Sequence, residues 1–142
     1  MNGLDLEEVR ALARRLFAGT PIFAAYVYGS RVWGRPGPTS DLDIGYYLRG
    51  YRFGDALPMR DEMVLAARWT EAFGVQVDLR NLAEAPLDLR GRVLEDGARI
   101  YSSDEPRRVA LERDLLARYH DYKETFRRLH ELRLKGVAAK GL

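Results

Sequence analysis

Cysteine is missing from this chain of 142 residues, which excludes disulfides and thiolate-ligated zinc. Long apolar runs are missing as well, and no stretch approaches the length needed to span a bilayer. The first residues, Met1-Asn2-Gly3-Leu4-Asp5, carry no signal-peptide pattern, so a soluble cytoplasmic protein is expected, with no membrane partner. There is little excess of either charge. A formal net charge of +2 leaves no polybasic arm, and direct nucleic-acid binding is not expected. Lysine is rare: only three of the 23 basic residues are lysines, and the arginines are spread along the chain. Arginine favours two-pronged contact with phosphate or carboxylate, which fits an anionic substrate or an acidic partner alike. The length suits one compact domain with a real core, and no internal repeat or low-complexity segment divides it.

Glycine and proline punctuate the rest. In residues 4–17, Leu6, Val9, Leu12, Ala13 and Leu16 form a helical stripe that stops before Gly19-Thr20-Pro21. Residues 22–28 are β-branched and aromatic, a buried strand that runs into Gly29-Ser30. A short helical turn is expected over 31–34. Arg35-Pro36-Gly37-Pro38-Thr39 reads as a loop, because both prolines lack an N–H and restrict the residue before them. A second strand over 41–48 follows, then a helix over 58–73 with Pro58 at its start and Gly74 past its end. Residues 75–82 alternate as a third strand, 86–95 form a short helix, and 98–101 a fourth strand. This order predicts an α+β fold, a small mixed sheet with flanking helices.

The most informative pattern is Gly29-Ser30 followed by Asp41-Leu42-Asp43. A glycine turn lets backbone N–H groups approach phosphate oxygens, and the serine adds a hydroxyl donor. On a strand, residues i and i+2 share a face, so Asp41 and Asp43 would offer two carboxylates to one spot. Converging carboxylates suit magnesium, which takes oxygen ligands and keeps substrate phosphates in its shell. Asp78, in Val75-Gln76-Val77-Asp78-Leu79, places a third acid on another strand. The plain alternative is a glycine turn before a solvated acidic strand, with Asp78 a surface acid. Arg31 could clasp a phosphate or pair with Asp41, and Arg35 could act similarly. Ser40 reads as a local cap, and Trp33 as packing more than as a base-stacking residue.

With those residues on the page, the chain resembles the DNA polymerase β-like nucleotidyltransferases. The wording Ser40-Asp41-Leu42-Asp43-Ile44 and the short length resemble their minimal nucleotidyltransferase (MNT) branch, over roughly residues 9–101. The resemblance implies a palm-like sheet and a single nucleotidyltransferase domain over 1–142, with a catalytic core over 1–103 and a C-terminal helix over 104–136. It implies that Asp41, Asp43 and Asp78 hold magnesium, two ions, and carry catalysis. Gly29, Ser30 and Arg31 would seat a nucleoside triphosphate, with ATP as substrate. Asp78 either ligates metal or takes a proton from the incoming hydroxyl.

From Asp104 to Leu134 only Pro106 interrupts the helical pattern, and it falls in the first turn, where proline is tolerated. Leu115, Tyr119, Tyr122, Phe126 and Leu129 recur at alternating four- and three-residue steps, which makes one apolar stripe. About thirty residues at ~1.5 Å each exceed the width of a compact domain this size. The stripe therefore either bends back over the core or projects toward another chain.

MNT proteins pair with HEPN RNase toxins, whose Arg-x4-His motif fails here: the position five before His120 is Leu115. His120, His130 and Tyr122 belong to no catalytic pattern. The resemblance implies an enzyme that transfers AMP from ATP to a tyrosine hydroxyl of a HEPN toxin, with a possible hetero-oligomer through the C-terminal helix. The short length favours this expectation over related polymerases, which need extra domains to grip a primer, and over aminoglycoside nucleotidyltransferases, which usually carry a larger helical region. A non-catalytic antitoxin that acts by contact, and a small-molecule nucleotidyltransferase, are the alternatives.

Overall fold

A computed structural model describes residues 4–33, 41–50 and 56–139 of the chain. Its elements run α1 (Leu6–Phe17), β1 (Ile22–Tyr28), α2 (Ser30–Trp33), β2 (Leu42–Leu48), α3 (Met59–Phe73) and β3 (Val77–Asn81). A single 3-10 turn (Leu82–Glu84) leads to α4 (Leu87–Asp96), β4 (Ala98–Ser102) and α5 (Glu105–Ala139). Asp5 starts α1, its carboxylate accepting from the backbone N–H of Glu7 and Glu8 at 3.1 and 3.2 Å. Gly74 ends α3 in the left-handed conformation at φ 92°, which a side-chain-bearing residue adopts at a cost.

The four strands form one mixed sheet in the order β3-β2-β1-β4. β1 runs antiparallel to both β2 and β4, whereas β2 and β3 are parallel. The expected α+β fold is therefore present. Every residue of β1 is buried, as a central strand covered on both faces requires. On one face, α1 and α3 supply Val9, Phe17 and Trp69 to a core with Ile44 and Tyr46. On the other, the 3-10 turn, α4 and the start of α5 bring Leu82, Val93 and Leu115 against Ala24, Tyr26 and Tyr47.

Most boundaries lie within one or two residues of the sequence reading, and two shifts stand out. β3 begins two residues later than expected, because the Gly74 turn carries the chain past Val75 before pairing starts. α5 continues beyond Leu134 through Gly136 to Ala139, making it 35 residues long, or about 52 Å at ~1.5 Å per residue.

Helix α5 has two unlike halves. Gly91 lies so close to the Tyr119 ring that a Cβ there would collide with it, so the glycine is what lets α5 settle on α4. Lys123 closes this region by an ion pair to Glu95 at 3.1 Å and a position 4.7 Å over the Tyr119 ring. Leu115 and Tyr119 are only 3% and 8% exposed. One turn on, Tyr122, Phe126 and Leu129 of the same stripe are 42%, 62% and 62% exposed. Of the two arrangements the stripe allowed, it projects.

Candidate active site

The site is built at one end of the sheet, where three strands align their side chains. β2 is buried at every position except Asp43. Along the ladders Tyr28 of β1 pairs with Asp43, and Asp43 pairs with Asp78 of β3. The three residues make one row across the sheet. Pairing thus brings together two carboxylates separated by more than thirty residues of sequence. Asp41 sits just before β2 and is exposed; it is not itself a ladder residue, contrary to the strand start expected at 41.

Local bonds fix that row. The N–H of Leu42 donates to the Gln76 carbonyl at 2.9 Å, pinning the start of β2 beside the start of β3. The Thr70 hydroxyl of α3 donates to the Ala66 carbonyl at 2.9 Å and accepts from the Val77 N–H at 3.0 Å. One side chain therefore anchors the residue immediately before Asp78.

Gly29 follows Tyr28 at φ +88°, and a Cβ there would run into the Asp43 carboxylate. Only glycine satisfies both the backbone conformation and that close approach. Ser30 opens α2 directly behind it. Arg31 lies with its guanidinium 5.9 Å over the Phe73 ring, within electrostatic reach of Asp41. Arg35 and Ser40 lie outside the described residues, as do the side chains of Ser30 and Trp33.

The carboxylates act on one another. The Asp41 carboxyl is held above its ordinary range by desolvation, then by a hydrogen bond to Asp78 and that residue's charge, with Arg31 opposing. Asp43 is raised in the same direction by desolvation and by the charges of Asp78 and Asp41. Like charges crowded on a scaffold stabilise a cation placed among them. Among the described residues no three ligating side chains are drawn close enough to hold an ion as they stand. The donor set nevertheless fits a hard divalent cation in kind, being all carboxylate oxygen, and Gly29 keeps the space beside Asp43 free of a Cβ.

Two neighbours escaped the sequence reading. Tyr28 faces Asp43 in the row, and its hydroxyl is held protonated by burial and then by the Asp43 charge. Arg80, two residues after Asp78 on the same face, opposes that effect through its charge and a hydrogen bond to the Tyr28 hydroxyl. The i+2 spacing of Asp78 and Arg80 was visible in the sequence. Their nearness to Tyr28 depends on strand order, which was not.

A short glycine turn thus joins β1 to a helical turn, with Asp43 on β2 and Asp78 on β3 aligned beside it. The family profile described as polymerase β nucleotidyltransferase matches residues 13–106, well over half the chain. The chain belongs to that nucleotidyltransferase family.

Solved structures agree on the fold. A chain from a toxin–antitoxin complex with AMP-PNP is similar at TM-score 0.61 and 18% identity, covering 95% of this chain and 99% of its own. A chain from a complex of a tri-AMPylated Shewanella oneidensis HEPN toxin with its MNT antitoxin is similar at TM-score 0.59 and 16% identity, covering 94% and 98%. A chain from an MntA–HepT toxin–antitoxin complex is similar at TM-score 0.58 and 16% identity, covering 93% and 98%. No curated protein sequence matches the chain significantly. No described helix is long and apolar enough to cross a membrane.

Proposed function

We propose that this chain is the MNT antitoxin of a HEPN toxin–antitoxin pair and transfers AMP from ATP to a tyrosine hydroxyl of that toxin. The observation that supports this most is the row of Asp43 and Asp78, with Asp41 and Gly29 beside it, on a nucleotidyltransferase-family chain. Its similarity to chains of toxin–antitoxin complexes, which runs over nearly their whole length, supports the same reading.

In this reading the Gly29 turn and the Ser30 hydroxyl seat the triphosphate, with Arg31 as a nearby cation. Asp41, Asp43 and Asp78 would hold magnesium, which supplies charge neutralisation on the phosphates when bound. The acceptor oxygen attacks the α-phosphorus; an O–P bond forms, the α–β bridging bond breaks, and pyrophosphate leaves. Asp78, exposed at the end of the row, takes the hydroxyl proton. Holding acceptor and α-phosphorus in line is the largest part of the catalysis left to the protein. Tyr28 stands beside Asp43 on the β1 side, and Arg80 of β3 bonds to the Tyr28 hydroxyl.

The distal stripe of α5, with Tyr122, Phe126 and Leu129 exposed, is the surface offered to the toxin. That stripe also favours a second reading, an antitoxin that works by contact alone.

The test is intact-mass spectrometry of the partner toxin after incubation with this chain, ATP and magnesium, using Asp41→Asn/Asp43→Asn as control. A gain of whole AMP units that the control lacks is expected. Stable binding with no mass gain would establish the contact reading, and no binding would turn the search to a small-molecule acceptor.

A further inference from the structure

Helices α4 and α5 run side by side in the same direction. Gly91 of α4 faces Tyr119 of α5, and four residues on in each helix Glu95 pairs with Lys123 at 3.1 Å. That direction is toward the acids. α5 starts at the far end of β1, where the Ser103 N–H donates to the Phe23 carbonyl at 2.9 Å and Arg107 lies 5.7 Å over the Phe23 ring. α4 ends at Asp96, and a Cβ on the next residue, Gly97, would meet the carbonyl of Val27, the neighbour of Tyr28 in the row. Lys123 is therefore level with the end of the sheet that carries the acids. Residues 124–139 of α5 run on past it for about 24 Å at ~1.5 Å per residue.

The face matters as much as the end. Residues paired across strands share a face, and alternate residues along a strand return to it. Tyr28, Asp43 and Asp78 therefore lie on the same side as Tyr26 and Tyr47, the side that α4 and α5 cover. The apolar stripe of α5 has one phase from Leu115 to Leu129. Its first two residues are buried in this layer, with Tyr119 against α4. Beyond Asp96, where α4 has ended, the same stripe looks onto the space ahead of the sheet, on the side of the acids. Tyr122, Phe126 and Leu129 thus border the approach to Asp43 and Asp78.

We propose that the projecting half of α5 is a wall of the active-site mouth and selects the acceptor, which is a hydroxyl on a folded protein surface at a fixed offset from an apolar patch. This rests on the reading of the chain as a protein-modifying nucleotidyltransferase. Asp78 stands two strands across from Tyr28, about 10 Å at ~4.8 Å per strand. Phe126 and Leu129 lie a further ~4.5 and ~9 Å along the helix from Lys123. A free tyrosine is too short to touch the stripe and reach Asp78 together. A folded partner seated on the stripe holds its hydroxyl at the row, which is the positioning that the transfer needs.

The test lengthens the helix without removing a residue. Seven alanines inserted between Glu124 and Thr125 move Phe126 and Leu129 by about 10 Å along the axis and turn them only about 20° out of phase. The same insertion between Leu134 and Lys135, past the stripe, is the control. Neither touches the contacts of Leu115, Tyr119 or Lys123, so both variants should keep the parent's melting temperature. With the first insertion, the partner toxin should still bind, weakened by at most about tenfold through separation from Tyr122. AMP transfer at saturating toxin and ATP should fall by about a hundredfold or more, the scale of a misplaced reactant. The control insertion should leave both unchanged, and N-acetyltyrosinamide should gain no AMP from the parent chain. Full transfer rate or loss of binding with the first insertion would overturn the proposal, as would ready transfer to N-acetyltyrosinamide. Absence of any transfer from the parent chain to the toxin would instead overturn the underlying reading, and this inference with it.

Discussion

The end of the sheet that carries the acids and the far half of α5 are both left unsatisfied, in opposite ways. At the sheet end, charge is crowded onto a rigid scaffold: Asp43 is the one unburied position of an otherwise buried strand, and Asp78 is paired to it. On distal α5, apolar rings and leucines stand in water on a helix whose ion pairs from Glu124 onward, among the described residues, lie within the helix itself. In the proposed reading a cation and a polyphosphate answer the first region, and an apolar surface answers the second. On that reading, chemistry and recognition fall to different parts of one small chain, and each can be broken alone.

The largest expected effect breaks the chemistry alone. Asp41→Asn/Asp43→Asn should lower AMP transfer by roughly a thousandfold or more, a loss typical of removing charged catalytic groups that act as a unit. Affinity for the toxin, read by calorimetry, should change by less than about threefold. A parallel loss of affinity would show that the two regions are not separable.

Next is Gly29→Ala. Its methyl group would displace the Asp43 carboxylate, and its backbone would be strained at positive φ. Transfer should drop by about a hundredfold, with a stability loss of about 1–2 kcal/mol in denaturant titration. Normal turnover in this variant would remove the turn from the site.

Phe126→Ala/Leu129→Ala sharpens the other side. Two exposed apolar anchors contribute about 2 kcal/mol or more to an interface, so affinity for the toxin should weaken by roughly thirtyfold. The melting temperature of the free chain should stay put, because both side chains are already in water. A clear loss of stability would mean that distal α5 packs on this chain.

The smallest effect concerns pH. Asp41 and Asp43 are both held above the ordinary carboxylate value, so the folded chain binds protons more readily than the unfolded one. Stability therefore falls as pH rises from the unfolded value through the folded one, and the full penalty is present at neutral pH. Without added metal, Asp43→Asn should raise the melting temperature at pH 7 by roughly 1–4 °C and leave it unchanged near pH 3. A lower melting temperature at pH 7 would mean that the carboxylate is held by favourable bonds instead of strained by repulsion.

Much of this was legible in the sequence, for identifiable reasons. β1 was read to the residue because Pro21 and Gly29 bracket a run of apolar and aromatic residues that suits a strand covered on both faces. The placement of Asp43 was equally plain, a lone acid in a strand otherwise made of apolar residues and a glycine. Asp41 was harder: alternation suggested a ladder position, but pairing begins one residue later, at Leu42. Tyr28 and Arg80 were out of reach, since their nearness depends on β1 and β3 flanking β2, and no local pattern specifies that order. For α5, periodicity correctly identified the apolar face. What covers each part of that face depends on Gly91, a residue on another helix.

The pairing of Asp43 with Asp78 has one more consequence. The two acids share a row only because β2 and β3 associate in one particular alignment. Sliding one strand by a single residue would send its acid to the opposite side of the sheet. On the proposed function the site therefore has no partially working version, and a chain that mispairs these strands is inert. Turnover by any one molecule would then certify that its sheet was put together correctly, which makes activity a strict assay of folding quality.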